Sequence, residues 1–345
     1  MIQQAGVGLA SREDANPYYE NGYLPLIAAP MSAVMGDYFP TVLDKHKIQY
    51  VIPRNYRPIY SDKWFTAIGL EEFEQLIQRD INTTIKVCID VANGNNPRLH
   101  AAIREGKSKH GDKLFIMSGN VSSLPAFKEL ARAGCDMIRV GIGGGSGCNT
   151  STQTGVGQPD LEELIEACAD NSLYYDYPVQ IIADGITTYM NQLISKQECL
   201  ENGYAAINRL LYKGASYVML GKIFAQCIEA DTTKTVMHRD CYIDEVQWVT
   251  EFAKGDSTTI KEIIEKAFKD GKLFADYYGM ASIRGQKTYL EDTKPSEGKS
   301  IKIPVKWTLE EWLHGNNTDE LPGYINMLKS AMSYTGSKTL NEFIW

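Results

Sequence analysis

No stretch of this chain is long and apolar enough to span a membrane, and its first residues, MIQQAGVGLASRED, lack the charged-then-apolar pattern of a secretory signal. A cytoplasmic protein without a membrane partner is expected. A basic surface is missing as well: 35 Lys and Arg stand against 43 Asp and Glu, a net charge of −8. That balance argues against a nucleic-acid partner and leaves any phosphate to local groups. The seven cysteines, at 88, 135, 148, 168, 199, 227 and 241, form no C-x-x-C pair, and the five histidines show no H-E-x-x-H spacing. Neither a zinc motif nor a disulfide framework is therefore indicated. No Gly-Lys-Ser/Thr phosphate loop occurs, and the dinucleotide pattern G-x-G-x-x-G fails from Gly141 because Ser146 takes the third glycine's place. Internal repeats, low-complexity tracts and Pro/Ser-rich linkers are also absent.

What is there is a globular composition, 43% apolar and 23% charged over 345 residues, enough for one large α/β barrel or two ordinary domains. Strand-like apolar runs recur at Leu24–Ala29, Tyr50–Arg54, Phe65–Leu70, Ile85–Val91, Leu114–Gly119, Met137–Ile142, Val179–Asp184 and Tyr217–Leu220. Amphipathic segments such as Leu124–Ala133 and Leu161–Asp170 separate them, which predicts parallel β-α units and, with eight of them, a closed (β/α)8 TIM barrel. A single catalytic domain over residues 1–345 is expected. In such barrels the site is built at the C-terminal ends of the strands. There the polar and glycine residues collect: Ala29-Pro30-Met31-Ser32, Pro53-Arg54-Asn55-Tyr56, Asp90-Val91-Ala92-Asn93-Gly94, Gly119-Asn120-Val121, Asp184-Gly185 and Gly221-Lys222. Turn residues alone explain any one glycine but not the Asp and Asn recurring beside them.

The densest of these stretches runs from Met137 to Pro159, MIRVGIGGGSGCNTSTQTGVGQP. An apolar run feeds a loop with Gly143, Gly144, Gly145 and Gly147, and at its centre Cys148 has small polar neighbours. A cysteine on a loop rich in N–H donors suits nucleophilic attack, because those donors favour the thiolate. Taken alone, a cysteine near glycines is more often structural. Taken whole, the stretch resembles the catalytic-cysteine loop of the IMP dehydrogenase/GMP reductase family, roughly VGIGPGSxCTTRxxxGVGxPQ. It departs at Gly144 (for Pro), Asn149 (for Thr) and Ser151 (for Arg). LIAAPMSAV from Leu26, IIADG from Ile181, VMLGK from Val218, YYGMAS from Tyr277 and SEGK from Ser296 are similar to further family motifs, and the resemblance extends from Ala10-Ser11-Arg12 to the terminal MLKSAMSYTGSKTLNEF. The chain looks short before Ile85. Residues 231–272 look like an insertion, with an amphipathic helix over Thr258–Lys269 read as a surface or subunit contact, and residues 282–300 look like the family's flap. There is no room for the regulatory domain pair often inserted in the dehydrogenases.

Both reactions of that family pass through a thioimidate formed when the cysteine adds to purine C2. The resemblance assigns Cys148 as nucleophile and Thr150 with Glu297 as the proton relay to departing ammonia, a role that needs a carboxyl group able to change protonation state. It assigns Ser146, Asp184, Gly185, Gly221, Lys222, Met280, Ala281, Ser282 and Lys294 to a purine mononucleotide, with Asp184 accepting from the ribose. Ser11, Arg12, Arg54, Asp90, Val91, Ala92, Ser330 and Ser333 fall at NADPH-side positions, Arg12 and Arg54 suiting the extra phosphate. Carbonyls of Gly143, Gly145 and Cys148 match a monovalent-cation site, K+ in this family, and a homotetramer is implied. DVANG at Asp90–Gly94 is similar to the reductase, and Ser282 to Gly298 hold no adjacent Arg-Tyr pair of the kind associated with the dehydrogenase's water activation. Reductive deamination of GMP, or a related guanine nucleotide, is therefore expected over IMP oxidation, with a catalytically silent purine-nucleotide-binding barrel as the reading from another class. Ile186 and Lys222 replace glycines where phosphate is usually held by bare backbone, and Lys294 replaces a flap Arg, which points to an altered nucleotide.

Overall fold

The computed structural model describes residues 1–344 other than 159, 173–178, 239–240, 247–257, 291–295, 317 and 320. Eight parallel strands close on themselves in sequence order: β1 Leu26–Ala28, β2 Gln49–Ile52, β3 Phe65–Ile68, β4 Ile85–Asp90, β5 Leu114–Val121, β6 Met137–Val140, β7 Gln180–Ala183 and β8 Tyr217–Leu220. The Leu26↔Val218 to Ala28↔Leu220 pairing of β1 with β8 seals the barrel. All eight expected runs are strands, trimmed by a residue or more at half of their ends and extended at the start of β2 and the end of β5, and the (β/α)8 expectation holds. Among the described residues no helix is long and apolar enough to cross a membrane.

Alternation along the strands divides two apolar layers. Ile27, Val51, Phe65, Ala67, Cys88, Met117, Met137, Ile182, Tyr217 and Met219 fill the barrel's interior, whereas their neighbours Leu26, Ala28, Val87, Ile116, Ile138 and Ile181 join the larger core beneath the helices. The helices start and stop where local chemistry directs. Ser123 accepts from Ala126 N at 3.4 Å to cap Leu124–Ala133, and Gly134 ends that helix in the left-handed region. Asn96 caps Pro97–His110 in the same way, with proline in the first turn.

The segment after β8 contains more order than its sequence announces. The amphipathic helix Thr258–Lys269 is present. Before it, β9 (Lys234–His238) and β10 (Cys241–Val246) form an antiparallel pair; after it come β11 (Leu273–Tyr278) and β12 (Ser300–Pro304). The four make one antiparallel sheet in the order β10-β9-β11-β12. Its Tyr278↔Ser300 rung closes the base of the loop carrying residues 279–299. β9 pairs directly with β11, the strand that leads into the flap, so the inserted segment reaches the flap's base.

Candidate active site

A cavity of about 570 Å³ opens at the C-terminal ends of the strands, between the barrel and the second sheet. Its walls come from Ala29–Met31 after β1, Asp90 at the end of β4, Arg139 on β6, the Cys148 loop, Asp184–Thr187 after β7, and Gly221–Ile223 after β8. Gly279–Ala281, Glu297 and strand β12 complete it from the flap side.

Two loops from distant parts of the chain are zipped together over this cavity. Asn149 N donates to Glu297 O at 2.6 Å, Lys299 N donates to Gly147 O at 3.0 Å, and Cys148 forms a bridge with Gly298. So close an approach requires glycine. A Cβ on Gly147 would lie 2.7 Å from Gly279 N, and one on Gly144 would overlap Gly185 O. The zipper sets a linear chain of groups: the Cys148 thiol donates to Thr150 Oγ1 at 3.3 Å, and Thr150 Oγ1 donates to Glu297 Oε2 at 2.8 Å. Cys148 is half-buried and lines the cavity. Burial pushes the thiols of Cys88 and Cys168 up to about 12, leaving them as packing groups.

Beneath the cavity lies a residue that the sequence did not single out. Arg139 points inward from β6, is 8% exposed, and donates from Nη1 to Asp90 Oδ1 at 3.1 Å. Its Nε and Nη2 both reach Asp184 Oδ2, at 3.1 and 3.0 Å. Burial works against this charge, but the carboxylates of Asp184 and Asp90 with the Cys88 sulfur outweigh it, so the guanidinium is held more firmly protonated than usual. Asn120 Nδ2 adds a further bond to Asp184 Oδ2 at 2.8 Å. Asp184 Oδ1 accepts from Gly185 N at 2.7 Å, so one oxygen is committed to the Arg139 network and the other stands against the cavity-lining backbone. Arg139 was hidden because an apolar run with one charge reads as a buried strand; its period-two position is the signal that finds it.

Most nucleotide-side candidates gather here. Gly185, Gly221, Lys222, Met280 and Ala281 line the cavity with Asp184. Ser146 stands beside them, donating to Thr187 Oγ1 at 3.0 Å. Met280 Sδ accepts from Ser32 N and Oγ at 3.4 Å. Burial, then the Lys306 charge, lowers the pKa of Lys222, and Lys306 also lines the cavity. Ser282 is different: its hydroxyl donates to Gly279 O at 2.6 Å and accepts from Gly285 N at 3.0 Å, which builds the flap's turn. Lys294 lies outside the described residues. The flap's separate Arg284 and Tyr289 are engaged elsewhere. Arg284 pairs with Asp276 at 2.6 Å, and Tyr289 lies under the Arg54 guanidinium at 4.9 Å.

The cofactor-side candidates split into two groups. Asp90 lines the cavity, followed by half-buried Val91 and exposed Ala92. Arg54, after β2, holds Glu72 loosely at 3.8 Å, and its buried Nε and the neighbouring Asn55 Oδ1 have no hydrogen-bond partner among the described residues. The open Nε donor fits an anionic group and the open Oδ1 acceptor fits a hydroxyl or amide donor, and a dinucleotide offers both. Ser11 and Arg12 instead sit beside the helix Tyr324–Thr335 that carries Ser330 and Ser333: Leu9 N donates to Ser333 O at 2.9 Å and Lys329 pairs with Glu13 at 2.7 Å. That helix packs on the outer ring through Asn208, whose amide donates to Met327 O at 3.3 Å, and none of the four lines the cavity. Of the carbonyls expected to hold a cation, Gly143 O accepts from Ser151 Oγ at 3.3 Å and Gly145 O from Cys148 N at 3.0 Å, leaving each a second lone pair.

Residues 66–244 match the family model described as the IMP dehydrogenase / GMP reductase domain. The chain belongs to this family. Relatives similar over most of its length include a GMP reductase from Buchnera aphidicola subsp. Schizaphis graminum, 29% identical over 92% of this chain and 80% of that protein. GMP reductase 2 of Homo sapiens is 28% identical over the same shares. A GMP reductase from Buchnera aphidicola subsp. Acyrthosiphon pisum is 31% identical over 74% of this chain and 58% of its own length. Family membership accounts for the cysteine loop and the barrel together.

Proposed function

We propose that this chain reduces GMP, or a close guanine mononucleotide, to IMP with release of ammonia, at the expense of NADPH. The observation that carries the reading is the Cys148–Thr150–Glu297 chain, with links of 3.3 and 2.8 Å, on the wall of a nucleotide-sized cavity. Cys148 gives its proton toward Thr150 as sulfur bonds to purine C2. Thr150 passes a proton on to Glu297, which returns it to the C2 amine so that the C–N bond breaks with ammonia as leaving group. NADPH, when bound, would supply the hydride that takes the amine's place at C2; Cys148 would then leave as the thiolate, releasing IMP, and regain its proton from solvent.

The other side chains position and select. Asp184, fixed by Arg139 and Asn120, suits the ribose hydroxyls, and Lys222 with Lys306 suits the phosphate. Arg54 and Asp90 suit the cofactor side. Ser11, Arg12, Ser330 and Ser333, lying off the cavity wall, suit a cofactor held partly by a neighbouring subunit, which agrees with a homotetramer. The engagement of Arg284 by Asp276 and of Tyr289 by Arg54 supports reduction over IMP oxidation, because neither is left to activate a water at Cys148. A monovalent cation, K+, on the Gly143, Gly145 and Cys148 carbonyls and a cytoplasmic location complete the proposal. GMP carrying a ¹⁵N label on its amine tests it: labelled ammonia should appear in step with NADPH oxidation. Oxidation without labelled ammonia would remove deamination from the reaction.

A further inference from the structure

The barrel end opposite the cavity holds a side-chain cluster that this chemistry does not use. His46 follows the helix Phe39–Lys45 and precedes β2, where helices hand back to strands at the N-terminal end of the barrel. Facing it, the helix Leu309–His314 carries Glu310 and His314, four residues apart and so on one face. Ligating atoms of the three side chains lie within 4.8 Å of one another. Glu310 stands between the two imidazoles, Oε2 being 3.4 Å from His46 Nε2 and Oε1 3.9 Å from His314 Nε2. The His46 side chain is 8% exposed and meets that carboxylate from within, while Glu310 and His314, at 60% and 48%, keep the outer side open to water.

We propose that His46, Glu310 and His314 form a site for a divalent transition-metal ion, zinc foremost, separate from the cavity around Cys148. Two imidazole nitrogens and one carboxylate are the donor set zinc takes with water in the fourth position, whereas Mg²⁺ and Ca²⁺ favour oxygen alone. A tetrahedral ion with bonds of ~2.0–2.1 Å sets its donors ~3.3 Å apart, so the observed separations close by small rotations of the two exposed side chains. The ligands come from opposite ends of the sequence, which is why no local spacing announced them. A bound ion ties the first β-α unit to the C-terminal segment and so acts on stability, not on turnover.

The test uses the full-length protein, stripped of metal, titrated with Zn²⁺ by calorimetry and with Co²⁺ by absorption. One ion per chain should bind with micromolar or tighter affinity, and the cobalt spectrum should lack sulfur-to-metal charge transfer. Excess zinc should raise Tm by several degrees. His314→Ala, a change at an exposed position, should lose both the ion and the Tm rise while keeping the metal-free Tm and the turnover of the parent. Absence of binding to the parent, equal binding by His314→Ala, or a thiolate band in the cobalt spectrum would each overturn the site.

Discussion

Replacing Arg139 by Met removes the cation that holds two carboxylates at the floor of the cavity. Asp90 and Asp184 have side chains only 22% and 15% exposed, so each loses its partner where water replaces it poorly. Breaking a buried ion pair from one side typically costs ~3–5 kcal/mol, most of it the penalty on the stranded charge. Unfolding entropy of ~2.1 cal/mol/K per residue gives about 0.7 kcal/mol/K for a chain of 345 residues, so Tm should fall by about 4–7 °C. Thermal unfolding by circular dichroism, with urea unfolding beside it, reads this directly. Adding Asp184→Asn to Arg139→Met takes away one stranded charge, and the double variant should recover part of the loss. Turnover should fall in both, because Asp184 is no longer oriented. A Tm for Arg139→Met within a degree of the parent, or a double variant less stable than the single one, would refute the reading of Arg139 as the counter-charge of this site.

Further outcomes follow from the same geometry. Cys148→Ala should abolish turnover yet leave nucleotide affinity, measured by calorimetry, close to that of the parent, since phosphate and ribose contacts come from other loops. Glu297→Gln keeps the shape and one hydrogen bond to Thr150 but cannot cycle a proton, so kcat should drop ~10²–10⁴-fold with little change in affinity; equal losses in both would make Glu297 a positioning residue. Lys234 is fully buried, and desolvation lowers its pKa to about 7. The unfolded chain then binds the extra proton between pH ~7 and ~10, so this lysine makes stability rise with pH across that window and burdens the fold below it. Lys234→Met should flatten that rise in urea unfolding at pH 7, 8.5 and 10, and parallel pH profiles for the two proteins would count against it.

The strands and the cysteine loop were legible because both signals are local: apolar runs of strand length, and a glycine density that only close backbone approach explains. The helix Thr258–Lys269 was legible for a similar reason, its apolar period. The second sheet was not. In β9 the fully buried Lys234 interrupts the apolar pattern, and the strand's partner β11 lies beyond a helix in the sequence. Arg139 stayed hidden inside an apolar run, and the meeting of Glu297 with Cys148 was read from family likeness, since no periodicity links a flap to a loop 149 positions earlier. The site was therefore legible as a list of side chains. What the structure adds is that β9 braces β11, that the β11–β12 pairing closes the flap loop at its base, and that the flap's backbone is zipped to the loop of the nucleophile.

Nicotinamide absorbance measures the direction of the reaction. Purified protein is given GMP with NADPH in one cuvette and IMP with NAD in another, both with K+ present. NADPH absorbance should fall with formation of IMP in the first, with no sustained change in the second. Steady NADH and XMP formation from IMP, with NADPH untouched beside guanine nucleotides, would contradict it.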